Sequence, residues 1–304
     1  MPGSPATARV EFRCGQVAIV GRPNVGKSTL LNSLVGHKLS ITSRKPQTTR
    51  WSLLGVRTGA DWQALYVDTP GIPSRYPGSL NRHMHREVKN ALDGVDVVLH
   101  VIEAMRWTDG DGAVRERLRE SRAPVLLVIN KIDKLPDRAQ LLPFISGIFK
   151  SGAYDEVVPV SAKNNENIAH LEEVVRRFLP EGPPAFPEEQ LTDRSERFLA
   201  AELIREKLTR KLGDELPYRL SVTVDRFRAA AKVTHIDATI WVESSGQKAI
   251  VIGRGGMMLK TVGQQARLDI EKLIGGPVHL RTWVKVRNKW TDDEKALRQL
   301  GYSA

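Results

Sequence analysis

The sequence predicts two domains: an α/β domain with a mostly parallel sheet and helices on both faces, followed by a smaller α+β domain. Strand-like and helix-like runs alternate from residue 16 to residue 178. Four prolines then fall within residues 180–187, and a helix could not continue through them. The 304 residues also exceed the length of one typical domain.

The first domain is predicted from runs that differ in their periodicity. The predicted strands are 16–20, 51–57, 62–67, 95–102, 125–129 and 157–160. The predicted helices are 27–34, 80–92, 113–120, 140–149 and 168–178. Ligands of such sheets bind at the carboxyl ends of the strands, so motifs at those ends indicate the site.

The first motif, at residues 21–28, is G-x-x-x-x-G-K-[ST] between a predicted strand and a predicted helix. Its glycines let successive N–H groups point at phosphate oxygens, and the helix N-terminus adds a favourable dipole. Lys27 is expected to contact the β- and γ-phosphates and Ser28 to bind Mg²⁺. The predicted phosphate-binding residues are Gly21, Arg22, Pro23, Asn24, Val25, Gly26, Lys27, Ser28 and Thr29.

A second motif follows the third predicted strand and comprises Asp68, Thr69, Pro70, Gly71 and Ile72. The Asp68 carboxylate is expected to hold Mg²⁺ and the Gly71 N–H to meet the γ-phosphate. The polar stretch 43–50 is typical of a switch loop, in which Thr49 rather than Thr48 is favoured as a third Mg²⁺ ligand. A second switch is expected after Gly71, through residues 75–78.

Two further motifs predict specificity for guanine. Asn130-Lys131-Ile132-Asp133 and Ser161-Ala162-Lys163 each follow a predicted strand. The Asp133 carboxylate can accept from both N1–H and N2–H₂ of guanine, whereas adenine offers no matching pair of donors. The Ala162 N–H is expected to meet guanine O6. The predicted guanine-binding residues are Asn130, Lys131, Asp133, Ser161, Ala162 and Lys163.

The composition favours an intracellular, polyanion-binding protein. The net charge is +11, with +3 in residues 1–193 (25 basic, 22 acidic) and +8 in residues 194–304 (21 basic, 13 acidic). The basic second part favours nucleic acid first and an anionic membrane surface second. The single cysteine excludes an internal disulfide and fits a reducing cytosol. The sequence shows neither a signal peptide nor a membrane span.

The second domain is predicted to run helix–strand–strand–loop–helix–strand. The elements are 195–212, 218–224, 233–242, an apolar run at 248–252, a helix to residue 274, and a strand at 278–287. The loop Gly253-Arg254-Gly255-Gly256 has the G-x-x-G form that clamps about four nucleotides of single strand in KH domains. The predicted RNA-binding residues are Gly253, Arg254, Gly255, Gly256, Lys260, Lys285, Arg287 and Lys289.

The predicted boundaries are a disordered tail 1–13, a nucleotide-binding domain 14–180, a Pro-rich linker 181–193 acting as a semi-rigid spacer, and an RNA-binding domain 194–304. His83 and His85 are expected on a solvated helix face rather than at a metal. Trp283 and Trp290 are candidates for base stacking, although core packing is the favoured interpretation.

Together, GRPNVGKSTLLN, SITSRKPQTTR, YVDTPGI, NKID and SAK resemble the Era family of bacterial GTPases. TDRSERF, IREKL, LPY, GQK, VIG, PVHL and WVKV extend this resemblance to the second domain. It implies a P-loop GTPase domain followed by a type II KH domain. It also implies binding of GTP and GDP, and of the 3′ end of 16S ribosomal RNA during assembly of the small (30S) subunit.

The resemblance further implies slow hydrolysis of GTP by water. Ile72 stands where Ras-like enzymes carry a glutamine that orients water, and isoleucine cannot donate or accept a hydrogen bond. In several relatives a K⁺ held by the phosphate-loop asparagine compensates, and Asn24 matches that position. The residues expected to act in hydrolysis are Lys27, Thr49, Gly71 and Asn24, with Mg²⁺ held by Ser28, Thr49 and Asp68.

Three alternatives remain at this point. The first alternative is a nucleotide-gated RNA chaperone with incidental hydrolysis, and the second is a GTPase peripheral to the inner face of the membrane. The third is an ATPase, which is disfavoured because Asp133 matches guanine rather than adenine. The sequence favours a cytoplasmic monomer that couples GTP to capture of single-stranded RNA.

Overall fold

A computed structural model describes residues 11–43, 45, 48–71, 79–149, 154–213, 216–230 and 232–302. These residues form a six-stranded sheet followed along the chain by a three-stranded sheet. The predicted fold class is confirmed. None of the helices in these ranges combines the length and the apolar character needed to cross a lipid bilayer.

The larger sheet has the strand order β2-β3-β1-β4-β5-β6. Only β2 and β3 pair antiparallel, and the other four pairs are parallel. The central strands are continuous apolar runs because helices cover both faces of the sheet. The strands are β1 Arg13–Val20, β2 Leu53–Thr58, β3 Trp62–Asp68, β4 Val97–Glu103, β5 Val125–Asn130 and β6 Glu156–Val160.

Within the described ranges, five α-helices accompany this sheet. They are α1 Lys27–Val35, α2 Ser79–Leu92, α3 Asp109–Leu118, α4 Leu141–Phe149 and α5 Ile168–Phe178. The apolar faces of α1 and α5 pack into one core cluster, and those of α3 and α4 pack into another. Because β1, β3, β5 and β6 run parallel, their carboxyl ends lie at one edge of the sheet. Each of the four predicted motifs follows one of these ends.

The smaller sheet has the order β7-β8-β9, with β7 and β8 antiparallel and β8 and β9 parallel. The elements are α6 Glu196–Lys211, β7 Leu220–Arg228, β8 Thr234–Val242, α7 Ser245–Ile252, α8 Met257–Ile274, β9 Val278–Val286 and α9 Glu294–Gln299. The apolar run at 248–252 is the second half of α7. Alternate residues of β8 and β9 pack against α6 and α8, and the others point to the opposite face.

The last residue of the predicted tail and the predicted linker both contact the larger domain. The first strand begins at Arg13, whose guanidinium donates to the Leu179 carbonyl, and residues 1–10 lie outside the described part. The linker, predicted as a semi-rigid spacer, follows the outer edge of β2. The Val56 N–H donates to the Leu191 carbonyl at 2.8 Å, and the Thr192 hydroxyl donates to the Leu54 carbonyl at 2.6 Å. An edge strand offers unpaired backbone groups, which the linker satisfies.

Candidate nucleotide site and RNA-binding groove

The phosphate loop needs its glycines. Gly21 and Gly26 have φ values of 154° and 105°, which L side chains rarely adopt. A Cβ atom on Gly26 would lie 2.3 Å from Asn130 Nδ2, and one on Gly21 would lie 2.4 Å from the Val101 carbonyl oxygen. Lys27 Nζ donates to the carbonyls of Gly21 and Arg22, at 2.9 Å and 3.1 Å. The loop is therefore folded tightly around the lysine.

Two opposite charges are buried beneath this loop. Burial lowers the pKa of the Lys27 ammonium to about 8, although the Asp68 carboxylate opposes the shift. Burial raises the pKa of Asp68, against the attraction of Lys27 and the hydrogen bonds from Ser28 and Ser40. Charges held away from water interact strongly with a polyphosphate and its metal ion.

The predicted magnesium ligands lie together. Ser28 Oγ is 2.8 Å from Thr49 Oγ1 and donates to Asp68 Oδ2 at 2.7 Å. The Thr48 hydroxyl instead donates to the Lys45 carbonyl, so Thr49 is the threonine that the structure brings to the site. The buried Asp68 Oδ1 has no hydrogen-bond partner among the described residues. Hydroxyl and carboxylate oxygens with a spare acceptor fit the oxygen preference of Mg²⁺.

The second motif abuts the phosphate loop. A Cβ on Gly71 would lie 2.9 Å from Pro23 Cα, so glycine is needed for this approach. The buried Thr69 hydroxyl donates to the Ile19 carbonyl at 2.8 Å and fixes the turn at the end of β3. Pro70, which lies between Thr69 and Gly71 in the chain, is also buried. Ile72 and the predicted second switch at 75–78 lie outside the described residues.

The two base motifs converge on Asn130. Its amide Nδ2 donates to the Val25 carbonyl at 2.9 Å, and its Oδ1 accepts from the N–H groups of Lys131 and Ala162. The Ala162 N–H, expected at guanine O6, is thus bonded within the protein. The Ser161 hydroxyl donates to Asp133 Oδ1 at 2.6 Å and orients that carboxylate. Lys163 is exposed.

The phosphate loop and parts of the other motifs line a cavity of 620 Å³, whose walls include Asn24, Lys27, Thr49, Gly71 and Lys131. Asp133 and residues 161–163 are not among its lining residues. The cavity lies at the carboxyl ends of the strands, where ligands of this sheet architecture bind. A second cavity of equal volume is lined by residues that include Pro124 and Val125, at the amino end of β5. None of its lining residues belongs to the four motifs.

Sequence reasoning missed two acidic anchors of the phosphate loop. Asp111 is fully buried and accepts from Arg22 Nε at 3.0 Å. Glu103, at the end of β4, pairs with Arg22, Lys131 and Lys134. The T-x-x-D pattern that ends in Asp111 was a usable signal, because it forms the capping box that begins α3. No local pattern indicated Glu103.

The G-x-x-G loop connects α7 to α8, so the apolar run predicted before the loop belongs to a helix. Gly253, Gly255 and Gly256 have positive φ values of 71°, 57° and 76°. A Cβ on Gly253 would lie 2.6 Å from Met258 Cβ, whereas the space above Gly255 and Gly256 is open within 4 Å. Arg254 is exposed. The loop therefore offers bare backbone and one cation to an approaching phosphate.

A groove of 450 Å³ runs from this loop between α8 and β9. Its lining residues are Gly256, Leu259, Lys260, Gly263, Gln264, Arg267, Leu280 and Thr282. Lys260 is at the groove as predicted. Exposed apolar side chains, including Ile250 and Met257, flank the loop.

The other predicted cations lie elsewhere. Lys285 Nζ is 5.7 Å from the centre of the Trp241 ring, on the sheet face opposite the groove. Arg287 donates to Gln299 near α9, and Lys289 is exposed beyond the end of β9. Strand alternation explains this separation, because Leu280 and Thr282 occupy the inward positions of β9.

The structure also shows where Trp290, Trp283 and His83 lie. Trp290 is fully buried and donates to the Arg219 carbonyl, so it belongs to the core and base stacking is excluded. Trp283 is 43% exposed. The expectation of a solvated face is wrong for His83, which is buried and lies edge-on to Trp51 and Tyr302. No group of three metal-ligating side chains surrounds it within the described ranges.

The second domain holds the end of the loop that is predicted to be the first switch. Arg50 follows Thr49 of the predicted magnesium site and is 1% exposed. Its guanidinium donates to the carbonyls of Pro217 and Leu220, at 2.7 Å and 2.8 Å, and to the Tyr302 hydroxyl at 2.9 Å. The loop end nearest the metal site is therefore anchored directly in the smaller domain.

Helix α6 contacts the same loop at further points. The buried Arg205 donates to the Thr48 carbonyl, and Glu206 accepts from the Thr42 N–H at 2.9 Å. Lys38 pairs with Glu206 and with Asp269 of α8. Although burial opposes the shift, hydrogen bonds from Lys38 and the Thr42 backbone lower the pKa of Glu206. The carboxylate stays ionised and holds the two domains together.

Comparisons with known proteins agree with this geometry. A family model described as a 50S ribosome-binding GTPase matches residues 16–131, and a KH domain model matches residues 215–291. GTPase Era of Marinobacter nauticus is 50% identical over 293 residues, covering 96% of each chain. GTPase Era of Coxiella burnetii (strain Dugway 5J108-111) is 52% identical over 289 residues, covering 95% of this chain and 98% of the relative.

Two solved structures superpose on nearly the whole chain. A structure of Era in complex with MgGDPNP and nucleotides 1506–1542 of 16S ribosomal RNA has a TM-score of 0.92 at 38% identity. A structure of a single-residue variant of Aquifex aeolicus Era bound to GDP and AlF₄⁻ has a TM-score of 0.93 at 38% identity. Each comparison covers 96% of this chain and 100% of the other. An identity of 50–52% over at least 95% of the chain shows that it belongs to the Era family of GTPases.

Proposed function

We propose that this GTPase uses its nucleotide state to control capture of the 3′ end of 16S ribosomal RNA during assembly of the small ribosomal subunit. The RNA bound in the related Era structure supports the choice of RNA. The observation that carries the proposed coupling is that Thr49 and Arg50 are adjacent in the chain. The Thr49 hydroxyl lies at the predicted magnesium site, and the Arg50 side chain donates to backbone carbonyls of the KH domain.

The residues are assigned to steps of hydrolysis as follows. Lys27 neutralises charge on the β- and γ-phosphates, and the Gly71 N–H binds a γ-phosphate oxygen. Ser28, Thr49 and Asp68 would hold Mg²⁺, which would compensate the charge that develops on the phosphates. Asp133, oriented by Ser161, accepts from guanine. Water attacks in line without a covalent intermediate, so positioning and charge neutralisation provide the rate.

The coupling follows from the loop contacts. A γ-phosphate that displaced Thr49 would also displace Arg50. The Arg50 guanidinium donates to the carbonyl of Leu220, the first residue of β7, and to the carbonyl of Pro217, which precedes that strand. Since Arg205 and Glu206 contact the same loop from α6, a change in loop position changes the posture of the KH domain. Hydrolysis releases that constraint.

The central experiment measures both directions of this coupling. Binding of an RNA matching the 16S 3′ end is measured for the apo, GDP-bound and GTP-analogue-bound protein, and GTP turnover is measured with and without that RNA. Tighter binding in the triphosphate state and faster turnover with RNA are expected. Equal affinity in all three states together with unchanged turnover would leave two unrelated binding activities. Anionic liposomes replace the RNA in a third arm, because a membrane surface would compete for the same basic domain.

We further propose that K⁺ assists hydrolysis through Asn24. This residue lines the nucleotide cavity and has the left-handed φ of 66°, which places its backbone within the tight phosphate loop. Turnover in K⁺ buffer is expected to exceed turnover in Na⁺ buffer at equal ionic strength, and Asn24→Ala should abolish the difference. Equal rates in the two buffers for the wild-type protein would contradict a K⁺ site.

We also retain the boundaries near residues 180 and 194, with the first domain beginning at Arg13. The two separate sheets on either side of the linker support this division. We propose that the protein is a monomer in the cytoplasm. Light scattering of the purified protein tests its oligomeric state.

A further inference from the structure

The second cavity of 620 Å³ is not used by the nucleotide-coupled mechanism. We call it the α3 cavity, because α3 and the segment after that helix form much of its wall. It lies at the amino end of β5, whereas the nucleotide motifs follow the carboxyl ends of the strands. Its volume is typical of small-molecule sites. Its lining residues are Arg115, Leu118, Arg119, Ser121, Arg122, Ala123, Pro124, Val125, Tyr154 and Asp155.

Positive charge is in excess at the wall of the α3 cavity. The charged lining residues are three arginines and one aspartate, which give a net charge of +2. Asp155 is that acid, and its Oδ2 already accepts from the Val125 N–H at 2.7 Å. Arg119 pairs with Glu116 at 3.1 Å, but both side chains are 64% exposed, and an ion pair in water contributes little. Among the described residues, Arg122 has neither a hydrogen bond nor an ion pair.

Arg115 gives an independent indication of an anionic ligand. Its Nε is buried and has no hydrogen-bond partner in the ranges that the structure describes. The guanidinium carbon lies 5.3 Å from the centre of the Trp107 ring, and this cation–π contact orients the side chain. A buried donor without an acceptor costs free energy. The oxygens of a bound anion are the acceptors that the Arg115 guanidinium lacks.

The charge and shape of the cavity favour an organic phosphate among the anions. Guanidinium groups bind phosphate and carboxylate oxygens in pairs. A phosphate monoester carries a charge of about −1.5 to −2 at pH 7, which matches the net charge of +2 on the wall, whereas a carboxylate carries a single charge. Leu118, Ala123 and Pro124 add apolar surface for the organic part of a ligand.

We propose that the α3 cavity binds a small organic phosphate, whose phosphate oxygens accept hydrogen bonds from Arg115, Arg119 and Arg122. The site is separate from the nucleotide cavity, so both can be filled at the same time. The inference does not depend on RNA binding. A soluble phosphate monoester and a lipid with a phosphate monoester headgroup share this chemistry, and the test distinguishes the two sources.

The test uses the full-length protein saturated with GDP and Mg²⁺, so that the nucleotide cavity is filled. Calorimetric titrations measure the affinity for phenyl phosphate and for benzoate, which has the same ring but a single charge. Sedimentation with phosphatidylcholine vesicles, with and without phosphatidate, measures binding to a phosphate monoester on a lipid.

The central variant is Arg119→Gln with Arg122→Gln, which removes two exposed arginines of the cavity wall. Arg86→Gln with Arg117→Gln is the matched control, because these arginines are also exposed but do not line the cavity. Arg115→Lys retains the charge and lacks the planar fork. Thermal unfolding and GDP affinity of each variant verify the fold.

We expect the wild-type protein to bind phenyl phosphate more tightly than benzoate. The Arg119→Gln, Arg122→Gln variant should bind phenyl phosphate about tenfold more weakly, because it loses charge-assisted hydrogen bonds, and Arg115→Lys should also weaken binding. The control pair should behave as wild type. Sedimentation with phosphatidate vesicles that the cavity variant loses would identify a lipid as the source of the phosphate, and binding of phenyl phosphate alone would identify a soluble ligand.

Failure of the wild-type protein to bind phenyl phosphate, or equal affinity for phenyl phosphate and benzoate, would overturn the proposal. Unchanged affinity in the Arg119→Gln, Arg122→Gln variant would overturn it as well, since the phosphate would then bind elsewhere. Equal weakening in the control pair would have the same consequence, because it would show attraction to the overall charge of the protein rather than to the α3 cavity.

Discussion

Individual side chains outside the four nucleotide motifs hold those motifs in shape. Glu103 links Arg22 of the phosphate loop to Lys131 of the base motif. Ser161 plays the same part for Asp133, since its hydroxyl fixes one carboxylate oxygen at 2.6 Å. Specificity at this site therefore depends on how a carboxylate is oriented as much as on its presence.

Asp133→Asn should weaken GDP binding by about 100-fold, because the two charge-assisted hydrogen bonds to guanine lose their acceptor. The amide offers a donor, so XDP should gain affinity. Fluorescent-nucleotide titrations of both diphosphates measure this. Asp109→Asn, in the exposed first turn of α3, serves as the control. Retained GDP affinity in Asp133→Asn would show that the base lies elsewhere.

Glu103→Gln should cost about 1 kcal/mol or less of unfolding free energy, as expected for a partly exposed ion-pair cluster. Although burial opposes the shift, hydrogen bonds from Lys134 and Lys131 lower the pKa of Glu103 from 4.5 to about 2. Because the pKa is lower in the folded state, the stabilisation is complete above pH 4.5 and is lost as the pH falls toward about 2. Urea unfolding of both proteins should show their difference shrinking in that window, and a difference independent of pH would contradict this assignment.

At the scale of elements, Gly255 and Gly256 of the G-x-x-G loop are required by backbone conformation, whereas Gly253 is also required by its packing against Met258. Gly255 and Gly256 adopt left-handed φ values with no heavy atom within 4 Å of an added Cβ. Aspartate tolerates this region better than most residues. The loop can therefore be changed chemically while the fold is kept.

Arg254→Asp combined with Gly255→Asp should abolish detectable RNA binding, because two carboxylates would face the phosphates that the loop receives. Binding of GTP should be unchanged. Gly275→Asp is the matched control, since Gly275 has a φ of 68°, open space and a position at the far end of α8. Filter binding of RNA and GTP to each variant gives the comparison. RNA affinity equal to wild type would exclude the groove as the RNA site.

The sequence allowed most elements and all four nucleotide motifs to be predicted, because apolar periodicity and glycine spacing are local properties. Contacts between segments distant in the chain could not be predicted from the sequence. No local pattern shows that Arg50 contacts the KH domain, or that Lys285 and the groove lie on opposite sides of β9. Trp290 illustrates the same limit, because its burial depends on packing against α9 and Trp241.

At the scale of the whole molecule, the two domains meet through both polar and apolar groups. The polar contacts join Thr42 and residues 48–50 to the second domain and include the buried Arg50 and Arg205. In the apolar contacts, Trp51 and Leu80 of the first domain pack with Trp290, Leu300 and Tyr302 of the second. The proposed coupling uses the polar contacts, because Arg50 directly follows Thr49.

Arg50→Ala should uncouple the two sites. It removes the three hydrogen bonds to Pro217, Leu220 and Tyr302, so the stimulation of GTP turnover by RNA should fall several-fold while each ligand still binds. Arg50→Lys, which keeps the charge but lacks the planar fork, should give an intermediate effect. Arg57→Ala removes a surface ion pair with Glu172 and should behave as wild type. Full RNA stimulation in Arg50→Ala would show that coupling takes another route.

The linker along β2 has a consequence for how this protein can be divided. Its Leu191 carbonyl and Thr192 hydroxyl cover the outer edge of the larger sheet. A fragment that ends at residue 180 would expose that edge as a template for strand addition. Such a fragment should self-associate and precipitate at concentrations where one extended to residue 194 stays dispersed. Low solubility of the shorter fragment would then reflect a stripped sheet margin rather than an inability of the nucleotide-binding half to fold.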